Sequence, residues 1–382
     1  MRGDVFMRVA FISHSAELCG AERSLLDLVV GVRMHGIHPT VVVPEYGPLV
    51  EEFKRNNISY IIHSYRKWVG GKNKTVEGIF RYIINRMSAP KLARMLRERD
   101  IDLVYSNSIV FPVGAMVANA IGVKHVWHIR EFVQEDMGAD FDFGTPFVAR
   151  FIEKNSSFII YNSHAVKKKF MPLLEGAPGA VISNGWLTGK SPGVVDRCVL
   201  TSDKPIKLCI VGSVHRGKGQ HEAIEALSVL RRKFSHVVLE IVGVGDVSYT
   251  CELEKLCASH DVSESVTFSG YSGDVSSVFR RSDIALVCSR NEAFGRVVVE
   301  AMAEGCPVVA SRSGGVPEII ECGVNGLLYK CGNVEDLVQQ VSLLIDNPSL
   351  YSSIARNGIM DVYKRFSRKR YVEQIHSVLE SL

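Results

Sequence analysis

The sequence predicts an α/β protein of two doubly wound domains facing a central cleft, and three observations carry that prediction. Short apolar runs of three to six residues alternate with longer segments of helical spacing along the whole chain, the pattern of parallel sheets covered by helices on both faces. The 382 residues exceed what one core of ordinary size takes up. A stretch rich in Gly, Ser, Thr and Pro, GWLTGKSPGVVDRCVLTSDKP at 185–205, separates two sets of runs.

The first set opens with RVAFI at 8–12, followed by a loop and a helix near 21–34. TVVV at 40–43, LVY at 103–105, KHVWH at 124–128, FIIY at 158–161 and AVI at 180–182 complete it. The second set is KLCIV at 207–211, VVLEIV at 237–242, VTF at 266–268, IALVC at 284–288 and VVA at 308–310. Runs this short and apolar suit strands buried on both faces. The implied domains are 1–187 and 206–365, with 188–205 as the linker and a polar helix over 366–382 closing the chain. Doubly wound sheets bind ligands at the carboxyl ends of their strands, so the residues just past each run are the ones to search.

Composition narrows the classes. A hydrophobic content of 46% with 23% charged residues is that of a soluble globular protein. No stretch reaches the roughly 18 apolar residues a membrane-spanning helix needs, and the start, MRGDVFMRVAFISHS, reads as a strand rather than a signal peptide. Nine cysteines without a Cys-x-x-Cys pair or a His at zinc spacing read as reduced thiols of a cytoplasmic protein. Charge is uneven: residues 1–190 carry a net +6 and the remainder −2, and 66–99 alone hold ten basic residues against two acidic ones. A patch so local suits a phosphate-bearing or membrane-surface partner and argues against general nucleic-acid binding.

The most informative segment is 289–326, SRNEAFGRVVVEAMAEGCPVVASRSGGVPEIIECGVNG. After the run at 284–288 come Glu292, Phe294 and Gly295, then a helix beginning at Arg296 and Val297. Backbone N–H groups of 295–297 at that helix start favour an anion. Glu292 before the helix and Glu300 within it can accept hydrogen bonds from sugar hydroxyls, so the ligand implied is a sugar phosphate. Three more segments follow strands. SHSAELCGAERS at 13–24 puts Gly20 and Ala21 at a helix start, where little side-chain bulk keeps a ligand from the backbone. VWHIREF at 126–132 closes a strand with His128, then Arg130 and Glu131, which can form a local ion pair. IVGSVHRGKGQHEAIEAL at 210–227 flanks Lys218 with Gly217 and Gly219, where a fixed cation can stabilise charge growing on a leaving diphosphate.

The 289–326 segment resembles the donor-site signature of the retaining glycosyltransferases of family 4, with Glu292 and Glu300 as its Glu-x7-Glu pair; the likeness runs on through CPVVASRSGGVPEII and VNGLLY. The resemblance implies a GT-B architecture of two Rossmann-like domains, a UDP- or GDP-linked sugar donor, and no cofactor or obligatory metal. It implies that His128 touches the donor sugar, that Gly20 and Ala21 contact the donor, and that Lys218 with a nearby Arg binds the diphosphate. Two departures stand out: Cys19-Gly20 replaces the usual two glycines, and Ser213 occupies the usual Arg position while Arg216 lies three residues on. By the same resemblance the 366–382 helix crosses back to the first domain, and the leaving phosphate oxygen takes the acceptor proton.

GVGD at 243–246 lacks the glycine and acidic spacing of a dinucleotide turn and reads as a strand-end turn. DFD at 140–142 has the form of a metal-binding Asp-x-Asp but sits in an acidic aromatic loop, so Asp140 and Asp142 read as part of an acceptor-side loop. VEGIFRYIINRM at 76–87 places Val76, Ile79, Phe80, Ile83, Ile84 and Met87 on one helical face, bordered by Lys72, Lys74, Arg81 and Arg86. That face is either core or a surface lying on anionic lipid. The expected function is transfer of a sugar from a nucleotide donor to a saccharide acceptor, in the form of a lipid-linked bacterial polysaccharide intermediate. A nucleotide-sugar-processing enzyme of the same fold (an epimerase or a sucrose-synthase-like enzyme) and a non-catalytic glycan-assembly scaffold are the alternatives.

Overall fold

A computed structural model of the chain describes residues 6–71, 75–186, 200 and 204–382. It divides into two compact units, 1–187 with 367–382, and 188–366. Most of the expected linker, 188–205, lies outside the described residues, as do Lys72 and Lys74.

The first unit holds, in chain order, β1 (Met7–Ile12), β2 (Ile37–Val43), β3 (Ser59–Ile62), β4 (Val69–Gly70), β5 (Leu103–Ser106), β6 (Lys124–Ile129), β7 (Asp140–Phe141), β8 (Phe158–Tyr161) and β9 (Gly179–Val181). Seven of these form a parallel sheet in the order β3-β2-β1-β5-β6-β8-β9, while β4 and β7 pair as an antiparallel ribbon. The second unit holds β10 (Ile206–Val211), β11 (Val237–Val242), β12 (Val266–Gly270), β13 (Ile284–Val287), β14 (Val308–Ser311) and β15 (Leu327–Tyr329), parallel in the order β12-β11-β10-β13-β14-β15. Both sheets are doubly wound, with the strand order reversing between β1 and β5 in one and between β10 and β13 in the other.

Sequence reading passed over β3, β15 and the ribbon; the ribbon strands are two residues each, too short to show any alternation. The expected run TVVV at 40–43 is the second half of β2, which extends back to Ile37 through Pro39. In the structure Pro39 pairs with Val9 of β1 and precedes the first β2–β3 pair, Thr40 with Ser59, so its missing N–H leaves no ladder bond to β3 unmade.

The Arg368–Glu380 helix belongs to the first unit. Its buried residues Tyr371, Val372, Ile375 and Leu379 fall on one helical stripe and join the core formed by Val9, Phe11, Leu28 and Val32. Close approach is possible because Gly31 faces Val372, where a side-chain carbon would come within 2.4 Å of a valine methyl. Arg368 N donates to Trp186 O (3.1 Å), tying the helix start to the end of the first unit's sheet segment.

Candidate functional site

In the second unit the reversal between β10 and β13 leaves two loops side by side, residues 212–219 and 288–295. Arg290 N donates to Gly217 O (2.9 Å), binding the loops backbone to backbone. Gly219, at φ +70°, lets them meet: a Cβ there would stand 2.2 Å from Cys288 O. Across this junction Lys218 Nζ donates to Glu292 Oε1, which also accepts from Ser289 Oγ at 2.8 Å. Both side chains are part-exposed, 27% for Lys218 and 13% for Glu292, so the pair can open to a ligand.

The Gly-Gly turn past β14 holds this arrangement in place. Gly315 N donates to Glu292 O at 2.7 Å, and Gly314, at φ +53°, lies so close that a Cβ would be 2.1 Å from the same carbonyl. The Arg296–Ala303 helix starts at Gly295, whose φ of +99° turns the chain from the Glu292 loop into the helix. One turn in, Arg296 Nε donates to Glu300 Oε1 at 2.8 Å, both side chains about 15% exposed. The site is thus two part-buried ion pairs at a helix start, with Val297 half-buried beside them. Such a group can exchange its internal pairs for a diphosphate and for sugar hydroxyls.

Other expected residues stand elsewhere. Phe294 is 6% exposed and its ring packs on Phe366, centroids 5.8 Å apart, so only its main chain can reach a ligand. Ser213 is exposed, and its carbonyl accepts from Gln220 Nε2 at 3.0 Å. Arg216, expected beside Lys218, turns away: it pairs with Glu252, lies 5.3 Å over the Tyr249 ring and is 71% exposed. An acidic residue on the Val247–Ser259 helix, past β11, decides that direction. His215 accepts from Gly217 N at 3.2 Å, and burial, then Lys218, lowers its pKa. Asp246 of the GVGD turn caps the next helix by accepting from Ser248 N at 2.8 Å, the strand-end role.

Gly20, Ala21 and His128 lie in the first unit. Gly20 is the first residue of the Gly20–Val32 helix, and Ala21 O accepts from Asn107 Nδ2 at 3.1 Å. His128 does not face an open strand end; it is fully buried, its Nδ1 against Tyr105 OH and its Nε2 without a partner among the described residues. Burial, reinforced by Arg130, holds the ring neutral well below its ordinary pKa. Arg130 and Glu131 are not a simple ion pair. The buried Arg130 guanidinium donates to Asn107 Oδ1 (2.8 Å), Asn184 Oδ1 (2.5 Å) and Tyr371 OH (2.7 Å), joining three loops of the sheet to the last helix. Glu131 accepts from Ile109 N and from Arg130 N, and burial raises its pKa to about 7.

The Asp142 carboxylate holds Arg81, Nε at 3.0 Å and Nη2 at 2.5 Å, so this aspartate is a structural partner of the Thr75–Arg97 helix. Sequence reading missed His14 and Glu22, which sit past β1. His14 Nε2 is 3.1 Å from Glu22 Oε1, and Ser15 Oγ donates to the same oxygen at 2.6 Å. Burial lowers the His14 pKa to about 4 against the opposing pull of Glu22. The available signal was the position of His14, two residues beyond a strand end.

Residues 19–186 match the family model described as Glycosyltransferase Family 4, and residues 197–361 match the model Glycosyl transferases group 1. An uncharacterized glycosyltransferase of Methanocaldococcus jannaschii is 28% identical over 79% of this chain and 82% of its own length. The lipopolysaccharide core biosynthesis glycosyltransferase LpsE of Rhizobium meliloti is 29% identical over 60% of this chain and 65% of its own. The N-acetyl-alpha-D-glucosaminyl L-malate synthase of Bacillus anthracis is 30% identical, but the chain spans only 39% of its length. In fold the chain is similar to Anabaena HepE, crystallised with UDP-glucose, at a TM-score of 0.80 and 23% identity over 98% of this chain and 100% of that one. It is also similar to the sucrose-phosphate synthase of Thermosynechococcus elongatus, at 0.74 and 16% over 98% of both chains.

Proposed function

This chain belongs to the family 4 glycosyltransferases, and from that premise we propose that it moves a hexosyl group from a nucleoside-diphosphate sugar to a saccharide acceptor with retention at the anomeric carbon and without a metal ion. The observation that carries the reading is the Lys218–Glu292 pair at the reversal point of the second sheet. On donor binding Lys218 exchanges Glu292 for the diphosphate, and Glu292 is freed to hold sugar hydroxyls. Arg296 exchanges in the same way, leaving Glu300 for the ribose. With the amides of 295–297 the two cations stabilise the charge that grows on the departing diphosphate. Its oxygen then takes the acceptor proton as the new glycosidic bond forms on the same face. His128, fully buried in the first unit, and Arg216, turned toward Glu252, are assigned no direct contact.

UDP-glucose is the first donor to test, because HepE was crystallised with it. A lipid-linked polysaccharide intermediate is the acceptor class proposed, in keeping with the lipopolysaccharide role in the name of LpsE. A thermal-shift panel of nucleoside diphosphates and nucleotide sugars tests the donor site, since a ligand that binds only the folded state raises apparent stability. At least one UDP or GDP compound is expected to raise the melting temperature in wild type and not in Lys218→Ala. No shift with any of them would overturn the donor assignment. The anomeric configuration of the product, read by NMR, tests retention independently.

A further inference from the structure

The Thr75–Arg97 helix changes its plan halfway along. In its second half the arrangement is ordinary: Ala89, Leu92, Ala93 and Leu96 are buried, and Lys91, Arg94 and Arg97 are exposed. Its first half is inverted. Val76 (82% exposed), Ile79, Phe80 (65%), Ile83 and Met87 (76%) face solvent, while Ile84 is half-buried. The side turned inward carries Gly78, Arg81 and the fully buried Asn85. These inward groups are specifically fitted. A Cβ on Gly78 would be 2.5 Å from that of Asp142; Arg81 is held by the Asp142 carboxylate; Asn85 exchanges two hydrogen bonds with the Arg66 backbone at 2.8 and 2.9 Å. The helix is therefore anchored so that its apolar stripe points out, and the stripe is not core.

We propose that this stripe, with the basic residues bordering it, is a docking surface for an anionic lipid bilayer. Apolar residues over three turns form a continuous exposed wedge, larger than the scattered exposure of an ordinary surface. Exposed Arg66, Arg86, Lys91 and Arg94 border it or continue its line, and 66–99 hold ten basic residues against two acidic ones. Aromatic side chains extend it: Tyr82 packs on Phe143 (5.6 Å), and Phe143 on the part-exposed Phe147 (5.1 Å). An apolar wedge with cationic and aromatic borders matches the interfacial zone of a bilayer, whose acyl boundary takes the first and whose anionic headgroups take the second. The wedge follows the β4–β7 ribbon, and Trp68 before β4 donates to Val110 O just past β5 (2.9 Å), so it lies at the carboxyl ends of the sheet. A lipid-borne acceptor would be delivered to the end of the sheet where ligands bind, a consequence that rests on the function proposed above; the docking itself does not.

The full chain is tested by co-sedimentation with vesicles of phosphatidylglycerol and phosphatidylcholine and with phosphatidylcholine alone, at low and high salt. Wild type is expected to bind the anionic vesicles at low salt and to be released by high salt. Phe80→Ser, Ile83→Ser and Met87→Ser combined are expected to lower the partition at least tenfold, with an unchanged melting temperature because the residues are exposed. Lys91→Gln with Arg94→Gln is expected to weaken binding severalfold and flatten its salt dependence. Arg81 stays intact in every variant because it anchors the helix. Indifference of wild type to anionic vesicles at low salt overturns the proposal, as does a triple variant that binds like wild type. A dimer in sedimentation velocity that the triple variant disperses, without vesicle binding, overturns it in favour of self-association. UDP-induced thermal shifts on the same samples keep a failure here distinct from a failure of the donor site.

Discussion

The polar groups past β10 and β13 and those past β1, β5 and β6 follow opposite electrostatic plans. In the second unit the charges are part-exposed and paired with opposite charges, Lys218 with Glu292 and Arg296 with Glu300. In the first unit Arg130 is sealed among neutral acceptors, Glu131 beside it is buried, and His125 and His128 of β6 are buried with displaced pKa values. Pairs near solvent can be exchanged for a ligand at modest cost. A buried charge cannot be unpartnered without losing stability. The first network accordingly maintains shape, and the second is available for chemistry.

The largest effect that could break this contrast is on Arg130. Arg130→Ala strands Asn107, Asn184 and Tyr371 and is expected to cost about 3–5 kcal/mol in urea unfolding. A loss below about 1 kcal/mol would show that the network is not what holds the last helix. Next comes Lys218→Ala, expected to lower turnover at saturating donor by about 100- to 1000-fold, as removal of one stabilising group from a developing oxyanion does. Folding stability should hardly change. Near-normal turnover would erase the distinction between the two regions.

The buried histidines sharpen the comparison through pH. Burial lowers the His125 pKa to about 4 from its ordinary 6.5. The unfolded chain therefore binds more protons between those values, and stability present above pH 6.5 is lost as pH falls toward 4, by about 3 kcal/mol for this one group. Glu131, raised to about 7, acts in the opposite sense. Its folded state holds the extra proton, so stability is lost as pH rises from about 4.5 to 7. Unfolding measured across pH 4–7 should show a steeper acid loss in Glu131→Gln than in wild type; an identical profile would remove Glu131 from the buried network. The smallest effect is on Arg216. Its exposed pair with Glu252 is worth about 0.2–1 kcal/mol at most, and Arg216→Ala is expected to change turnover less than about threefold. Excess chelator is expected to leave activity unchanged, because the paired cations and the helix start neutralise a diphosphate unaided.

Residue types at strand ends were legible in advance because the sheet itself places them. Glu292, Glu300, Lys218 and the Gly295 turn all follow apolar runs, and the structure sets Lys218 on Glu292 without any clue beyond that placement. What could not be read was direction. Arg216 lies two residues from Lys218 yet turns toward Glu252, because a carboxylate on another helix competes for it. Phe294 sits between Glu292 and Gly295 yet faces Phe366, and His128 ends inside the core rather than at its mouth.

The sequence by itself determined the two parallel sheets, the loops that can carry chemistry and the side chains in them, because hydrophobic periodicity and glycine are local properties. Tertiary structure alone decided which of two faces the Val76–Met87 stripe presents. An apolar stripe at helical spacing looks the same whether it is buried or bare; here the choice came from Gly78, Arg81 and Asn85, whose partners Asp142 and the Arg66 backbone lie elsewhere in the chain. The same holds for Arg130, which only the folded chain brings to Tyr371, 241 residues away. Long-range pairing of polar groups depends on distances that no local pattern records, and burial makes each such pairing obligatory.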